Sequence, residues 1–225
     1  RLPNRNLLID RLRQTTHQAR KEPSISALLM IDLDHFKSLN DTQGHAIGDL
    51  LIREVGQRLT AAVRTNDTVA RIGGDEFAVI LDSIAATPKE AHQRTAIVCT
   101  KLLTRLRESY ALSDSEYRGT CSLGATVFGP NEASAATLMM QADLALHKAK
   151  ADGRNQICFF DPGMQTQANE RVALERSLQD ALIQKQFILH FQPQVAASGE
   201  VLGVEALIRW QHPERGMVPP GAFIP

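Results

Sequence analysis

Net charge is what this chain lacks: 25 Lys and Arg balance 25 Asp and Glu. No overall field therefore draws it to nucleic acid or to acidic lipid, and any anionic ligand must be held by a local site. Cysteine is scarce. Cys99, Cys121 and Cys158 are odd in number, far apart and set in apolar periodic segments, which predicts buried thiols in a reducing compartment rather than a disulfide or a metal site. No apolar run approaches a membrane span, and no signal-peptide pattern opens the chain. The segment is thus expected to be cytoplasmic and without direct membrane contact, while a parent protein could still be anchored through other parts. Hydrophobic residues are 43% of 225, enough for a sizeable core in one domain and part of a second.

What is present is organised around Arg71-Ile72-Gly73-Gly74-Asp75-Glu76-Phe77. Apolar runs at 68–72 and 77–81 flank it, so it reads as a β-hairpin tip. Two glycines allow positive φ and close approach, and two carboxylates follow directly. Another acidic group, Asp32-Leu33-Asp34, ends the apolar run from Ala27 to Leu33, which suits a buried central strand. Alternation puts Asp32 and Asp34 on one side and Leu33 on the other. Such a turn also suits an ordinary solvated hairpin. Carboxylates gathered from two strand ends, however, are what a hard cation needs, and the cation in turn recruits phosphates.

The remaining pattern alternates helices and strands. A helix is predicted from Leu7 to about Arg20, with Leu8, Leu12 and His17 near one face, after an opening at Arg1 that reads as a cut. Another is predicted from Ile47 to Arg64, with apolar residues every fourth position. Thr87-Pro88-Lys89-Glu90 is a capping box with proline at the first helical position, starting a helix to about Glu108; its core stripe is Ala91, Thr95, Val98, Leu102 and Leu106. A strand follows over 117–128, with Gly124 inside it allowing close approach of a neighbour. A helix then runs over 134–150, with Gly153 at its C-terminal cap, and a closing strand over 156–160. Asp161-Pro162-Gly163 marks a boundary. The order gives an α+β fold, an α/β sandwich on a split β-α-β plan with helices on one face or edge of the sheet.

The text from Ala27 to Asp41, running on to Gly44-His45-Ala46-Ile47-Gly48-Asp49, together with Gly73-Gly74-Asp75-Glu76-Phe77, closely resembles the GGDEF family, the diguanylate cyclases. The resemblance covers roughly residues 1–160, with its motifs in order. It implies the ferredoxin-like fold of nucleotide cyclases and polymerase palms. It implies condensation of two GTP into cyclic di-GMP with release of pyrophosphate, Mg2+ as cofactor (Mn2+ possible), and a homodimer of two half-sites. Metal would be held by Asp32, the Leu33 carbonyl and Asp75. Glu76 would contact metal or accept the 3′-hydroxyl proton, and Lys37 would balance phosphate charge. Asn40 and Asp49 match positions that read guanine, with His45 lining the same pocket. Lys150 and Arg154 match phosphate contacts, and Arg64 with Asp67 matches the product-inhibition site. His147 departs from the family's usual tyrosine.

Residues 187–194 and 204–210 resemble the start of an EAL domain, the cyclic di-GMP phosphodiesterase barrel. Glu205 matches a metal ligand there, and Gln192, Leu207 and Arg209 match substrate-side positions, with Phe191 where tyrosine is usual. The chain divides on this reading into a cyclase domain, 1–162, and a linker helix with an incomplete EAL domain, 163–225. A (β/α)8 barrel needs roughly 250 residues, so phosphodiesterase activity is not expected, and the tail is expected to be poorly ordered or sticky. A rival function is a non-catalytic GTP- or cyclic di-GMP-sensing module that regulates an attached EAL domain. The intact motif argues for synthesis. A plain scaffold would leave the ordered polar motifs without a reason.

Overall fold

A computed structural model describes residues 2–21, 24–113, 115–130 and 133–224. Arg1, read above as a cut, lies outside them. The chain forms two compact units, Arg1–Met164 and Gln165–Pro225.

The first unit is built on strand β1 (Ile25–Leu33), whose nine residues are all buried. The Leu-Pro-Asn-Arg text before it folds as a cap. Asn4 Oδ1 accepts the Leu7 N–H at 3.0 Å to start helix α1 (Arg5–Lys21), and the Pro3 carbonyl accepts the Arg71 N–H at 2.9 Å. After β1 come α2 (Phe36–Gln43), α3 (His45–Ala62), the hairpin β2 (Thr68–Gly73) and β3 (Glu76–Ala85), and α4 (Pro88–Arg107). The small hairpin β4 (Tyr110–Leu112) and β5 (Ser115–Tyr117) leads to β6 (Cys121–Phe128), α5 (Ala135–Ala151) and β7 (Ile157–Phe159). The sheet order is β2-β3-β1-β6-β7, with β1 antiparallel to both neighbours and β7 parallel to β6.

Because β1 is central, its alternation feeds two cores. Leu29, Ile31 and Leu33 pack with α3 and α4; Leu28 and Met30 pack with α1 and α5. Helices therefore cover both faces, which corrects the expectation of one. On α1 the buried set is Leu8, Leu12 and Ala19, and His17 is exposed. On α4 Cys99, not the half-buried Val98, completes the core stripe. The cap is as read: Thr87 Oγ1 accepts the Glu90 N–H at 3.4 Å. The strand expected over 117–128 is split by Arg118-Gly119-Thr120, its first residue belonging to the β4–β5 hairpin. Gly124 is where α5 meets the sheet: a Cβ there would overlap the backbone of Leu146 and Ala142. Arg58, from α3, donates to the carbonyls of Arg105 at 3.1 Å and Glu108 at 2.7 Å at the end of α4, and stacks 3.7 Å over the Tyr110 ring.

Asp161-Pro162-Gly163, read above as a boundary, starts a helix. Asp161 Oδ1 accepts the Gly163 N–H at 2.8 Å, with proline at the first helical position of α6 (Pro162–Ile183). The second unit continues with β8 (Phe187–Val195), β9 (Val201–His212) and β10 (Gly216–Val218), an antiparallel sheet. Trp210 is fully buried against Phe187 and Phe223, and its indole N–H donates to Gln186 Oε1 at 2.9 Å. One face of the β8–β9 pair still exposes Leu189, Phe191, Leu202 and Val204.

Candidate active site

The β1–β3 register places Asp32 directly opposite Glu76, and Gly74-Asp75 is the turn between β2 and β3. Gly74 takes φ 22, in the left-handed region. Its carbonyl is gripped by the Arg71 guanidinium, through Nε at 3.1 Å and Nη2 at 2.8 Å, which pins the tip. The Asp75 carbonyl accepts the Leu33 N–H at 3.4 Å, tying the tip to the end of β1. Asp32 is only 7% exposed, and Lys150, reaching in from α5, pairs with its Oδ2 at 2.6 Å.

Asp34 is spent on structure. It accepts from Thr120 Oγ1 at 2.7 Å, Ser122 Oγ at 2.8 Å and the Asn155 N–H at 3.1 Å. That network, with Arg107 donating to the Asn155 side chain at 2.7 Å and to its carbonyl at 2.8 Å, fixes the turn after α5. Gly153, Arg154 and Asn155 all have positive φ there, a conformation that costs free energy for the two residues with a Cβ. Arg154, one of the expected phosphate contacts, is thereby held exposed beside the Lys150 helix end.

Electrostatics single out two carboxyls. Burial raises the Asp32 pKa, with Asp75 and Asp34 adding to the rise and Lys150 opposing it. Burial also raises that of Glu76, followed by repulsion from Asp32 and Asp143. A groove of about 690 Å³ between α1 and α5 has Glu76 and Asp143 in its wall. Carboxylate and carbonyl oxygens are the donors a hard divalent cation takes, and among the described residues no three Asp, Glu, His or Cys side chains are gathered into a metal site. Asp32 and Asp75 are the carboxylates that would hold it, with the Leu33 carbonyl beside them. The sign of the pH effect follows. A carboxyl whose folded pKa is raised stabilises the fold below its unfolded pKa, and loses that stability as pH rises through the folded value. Glu76→Gln should therefore raise Tm at neutral pH and lose that advantage below about pH 4; thermal melts at the two pH values check it, and equal shifts at both would contradict it.

Residues 1–156 match the family described as "Diguanylate cyclase, GGDEF domain". The chain belongs to the GGDEF family. Its residues 175–225 match the EAL domain, here a three-stranded piece and no closed barrel among the described residues. The chain is 43% identical, over its whole length, to the bifunctional diguanylate cyclase/cyclic di-GMP phosphodiesterase MucR of Pseudomonas aeruginosa. It is 35% identical, over 99% of its length, to the cyclic di-GMP phosphodiesterase PdeR of Escherichia coli. It spans about a third of each of these relatives, 32% in both cases. The GGDEF domain of DgcB from Caulobacter crescentus, solved in complex with c-di-GMP, superposes with a TM-score of 0.63 at 30% identity, covering 70% of this chain and 91% of that one.

In this GGDEF domain the other expected residues fall into two further places. Lys37, Asn40, His45 and Asp49 lie on α2 and the start of α3, which leave the end of β1. Lys37, His45 and Asp49 are exposed. The Asn40 Oδ1 is buried without a hydrogen-bond partner, against Gly48, where a Cβ would overlap it. A ligand N–H would satisfy that orphan acceptor. Arg64 and Asp67 lie at the far end of β2 from the hairpin tip, about 20 Å away at roughly 3.3 Å per residue. The Asp67 carboxylate holds its own loop, accepting the Arg64 N–H at 2.8 Å and the Asp82 N–H at 3.2 Å. In the EAL segment Gln192 faces Glu205 in register, and Leu207 and Arg209 continue the same face of β9. Sequence reasoning missed Asn155, Asp143 and Gly48. Only Gly48, a glycine inside a helix, carries a signal that could have been read.

Proposed function

We propose that this GGDEF domain is one half-site of a diguanylate cyclase, which condenses two GTP into cyclic di-GMP and releases two pyrophosphates. What carries the reading is the pairing of Asp32 with Glu76 across the sheet, with Asp75 at the turn and Lys150 on Asp32. Asp32, Asp75 and the Leu33 carbonyl would hold Mg2+, or Mn2+ in its place. When bound, the cation neutralises the triphosphate and orients in-line attack.

Lys150 exchanges Asp32 for phosphate oxygen when GTP enters, and Lys37 and Arg154 supply the remaining positive charge. Asn40, His45 and Asp49 hold the guanine. Glu76, kept more basic than an ordinary carboxylate by burial and neighbours, takes the 3′-hydroxyl proton. The 3′ oxygen bonds to the α-phosphorus of the other nucleotide as that atom's bond to the bridging oxygen breaks and pyrophosphate departs. Each nucleotide needs the other's site, so the active species is a homodimer. Cyclic di-GMP returns to Arg64 and Asp67 as inhibitor; the ligand of the DgcB domain supports binding of this class. Residues 1–162 form the cyclase domain. Residues 163–225 form a linker helix and a partial EAL domain, whose Gln192, Glu205, Leu207 and Arg209 do not support phosphodiesterase turnover alone. A substrate of this kind places the domain in the cytoplasm.

A second reading, a sensing module regulating an attached phosphodiesterase, is favoured by the similarity to PdeR. Product analysis separates the two. The chain, alone and fused to a dimeric coiled coil, is incubated with GTP and Mg2+. Cyclic di-GMP is the expected product of the dimer. A dimer that binds GTP and forms none would discard the cyclase in favour of the sensor.

A further inference from the structure

Arg107, the last residue of α4, reaches across to the turn that carries Arg154. Its Nε donates to Asn155 Oδ1 at 2.7 Å and its Nη2 to the Asn155 carbonyl at 2.8 Å. The Asn155 N–H is shared between Asp34 Oδ2 at 3.1 Å and Ser122 Oγ at 3.2 Å. Gly153 (φ 116), Arg154 (φ 63) and Asn155 (φ 52) are three positive-φ residues in a row. Glycine takes that region freely and asparagine tolerates it, but arginine rarely adopts it. The strained residue is therefore Arg154, and such a conformation persists only where its surroundings over-determine it. The Arg154 guanidinium has no hydrogen bond or ion pair among the described residues. Helix α4 is itself held at this end, since Arg58 donates to the carbonyls of Arg105 and Glu108, on either side of Arg107.

We infer that Arg107 is a positioning residue for Arg154: by clamping Asn155 it holds the left-handed turn that keeps the Arg154 guanidinium unpaired and aimed at the nucleotide's phosphates. This rests on the reading of Arg154 as a phosphate contact. The Arg107 side chain suits the task, because a planar guanidinium engages two acceptors of one residue at a fixed spacing. Asp34 and Ser122 fix only the N–H side of Asn155, while Arg107 fixes its side chain and its carbonyl. Without the clamp the turn relaxes toward ordinary φ, and Arg154 moves with it. Arg107 touches no part of the nucleotide and acts on its phosphates alone, since the guanine contacts proposed on α2 and α3 do not depend on this turn.

The test is calorimetric titration of the full chain with GTP and with guanosine, without divalent cation so that no turnover intervenes. Arg107→Met should weaken GTP binding about tenfold, the loss of one charge-assisted hydrogen bond from Arg154, and leave guanosine binding unchanged. Arg107→Lys should recover part of the loss, because one ammonium replaces a two-pronged fork. Arg105→Met should match wild type, since Arg105 lies on the same helix but its side chain pairs with Glu108 at 3.2 Å. The deciding variant is Arg107→Met combined with Arg154→Ala. It should bind GTP as Arg154→Ala alone does, because a residue that acts through another has nothing to add once that other is gone. Asn155→Ala removes the same side-chain bond from its other end and should give the same pattern, so the outcome does not hang on one variant folding. If Arg107→Met weakens GTP and guanosine alike, or adds its full loss to that of Arg154→Ala, it supports the fold in general and the inference is overturned. If Arg154→Ala loses GTP affinity while Arg107→Met keeps it, Arg107 has no such role and the phosphate contact stands without it. If wild type does not bind GTP, or Arg154→Ala binds it as wild type does, the phosphate reading of Arg154 falls and this inference falls with it.

Discussion

In a chain held as a dimer, Asp75→Ala should lower cyclic di-GMP synthesis about a thousandfold, the scale on which removing one preorganised electrostatic contact to the transition state is felt. Asp75 belongs to a turn whose backbone is fixed by others: Arg71 holds the Gly74 carbonyl, and Leu33 donates to the Asp75 carbonyl, which alanine keeps. The side chain therefore contributes its charge and little architecture. Tm should move by no more than the surface-substitution range, about 0.5 kcal/mol of stability. GTP binding without divalent cation should also persist, because the proposed nucleotide contacts Asn40, Asp49 and Lys37 are untouched. Rate by product chromatography, Tm by melting and GTP affinity by calorimetry separate these effects. A variant that keeps more than a tenth of the wild-type rate would remove Asp75 from the reacting centre.

Gly124→Ala should be the most damaging single methyl in the first unit. The added Cβ would overlap the backbone N of Leu146 and O of Ala142, and backbone cannot rotate aside as a flexible side chain can. Helix α5 would have to lift from β6, opening the core formed by Leu28, Met30, Leu138 and Leu146. Overpacking of this kind costs about 3 kcal/mol or more, or about 6–12 °C in Tm for a unit of this size. Gly73→Ala is the control: its Cβ would meet open space, so its melt should track wild type even though it adjoins Asp75. A Gly124→Ala protein melting within 2 °C of wild type, at roughly 2–4 °C per kcal/mol, would mean that α5 is not seated as described.

Much of this was legible because it is local. The apolar run ending in Asp32 reads directly as a buried strand, Thr87-Pro88-Lys89-Glu90 as a cap, and Gly124 inside a strand as a point of close approach. The candidate acids were legible for the same reason: glycines and carboxylates at a hairpin tip announce themselves. What escaped depends on partners far away in the chain. Asp34 meets Thr120, Ser122 and Asn155, contacts that no spacing encodes. Arg58 reads as a solvated helix residue until α4 ends beside it. The β4–β5 hairpin reads as part of a longer strand because Tyr117 is apolar enough to extend β6, and the break at Arg118-Gly119-Thr120 carries no polarity signal. The pairing of Lys150 with Asp32 was likewise hidden, since it spans most of the first unit.

The two faces of the β8–β9 pair differ in kind, Gln192 and Glu205 on one and Leu189, Phe191, Leu202 and Val204 on the other. A row of apolar side chains left open to water attracts its like whether or not a substrate is present. Light scattering or gel filtration of this chain would consequently report adhesion through that row and pairing of the proposed half-sites as the same increase in mass. A readout that responds to GTP, such as the nucleotide dependence of the apparent molecular weight, counts the assembly proposed for synthesis.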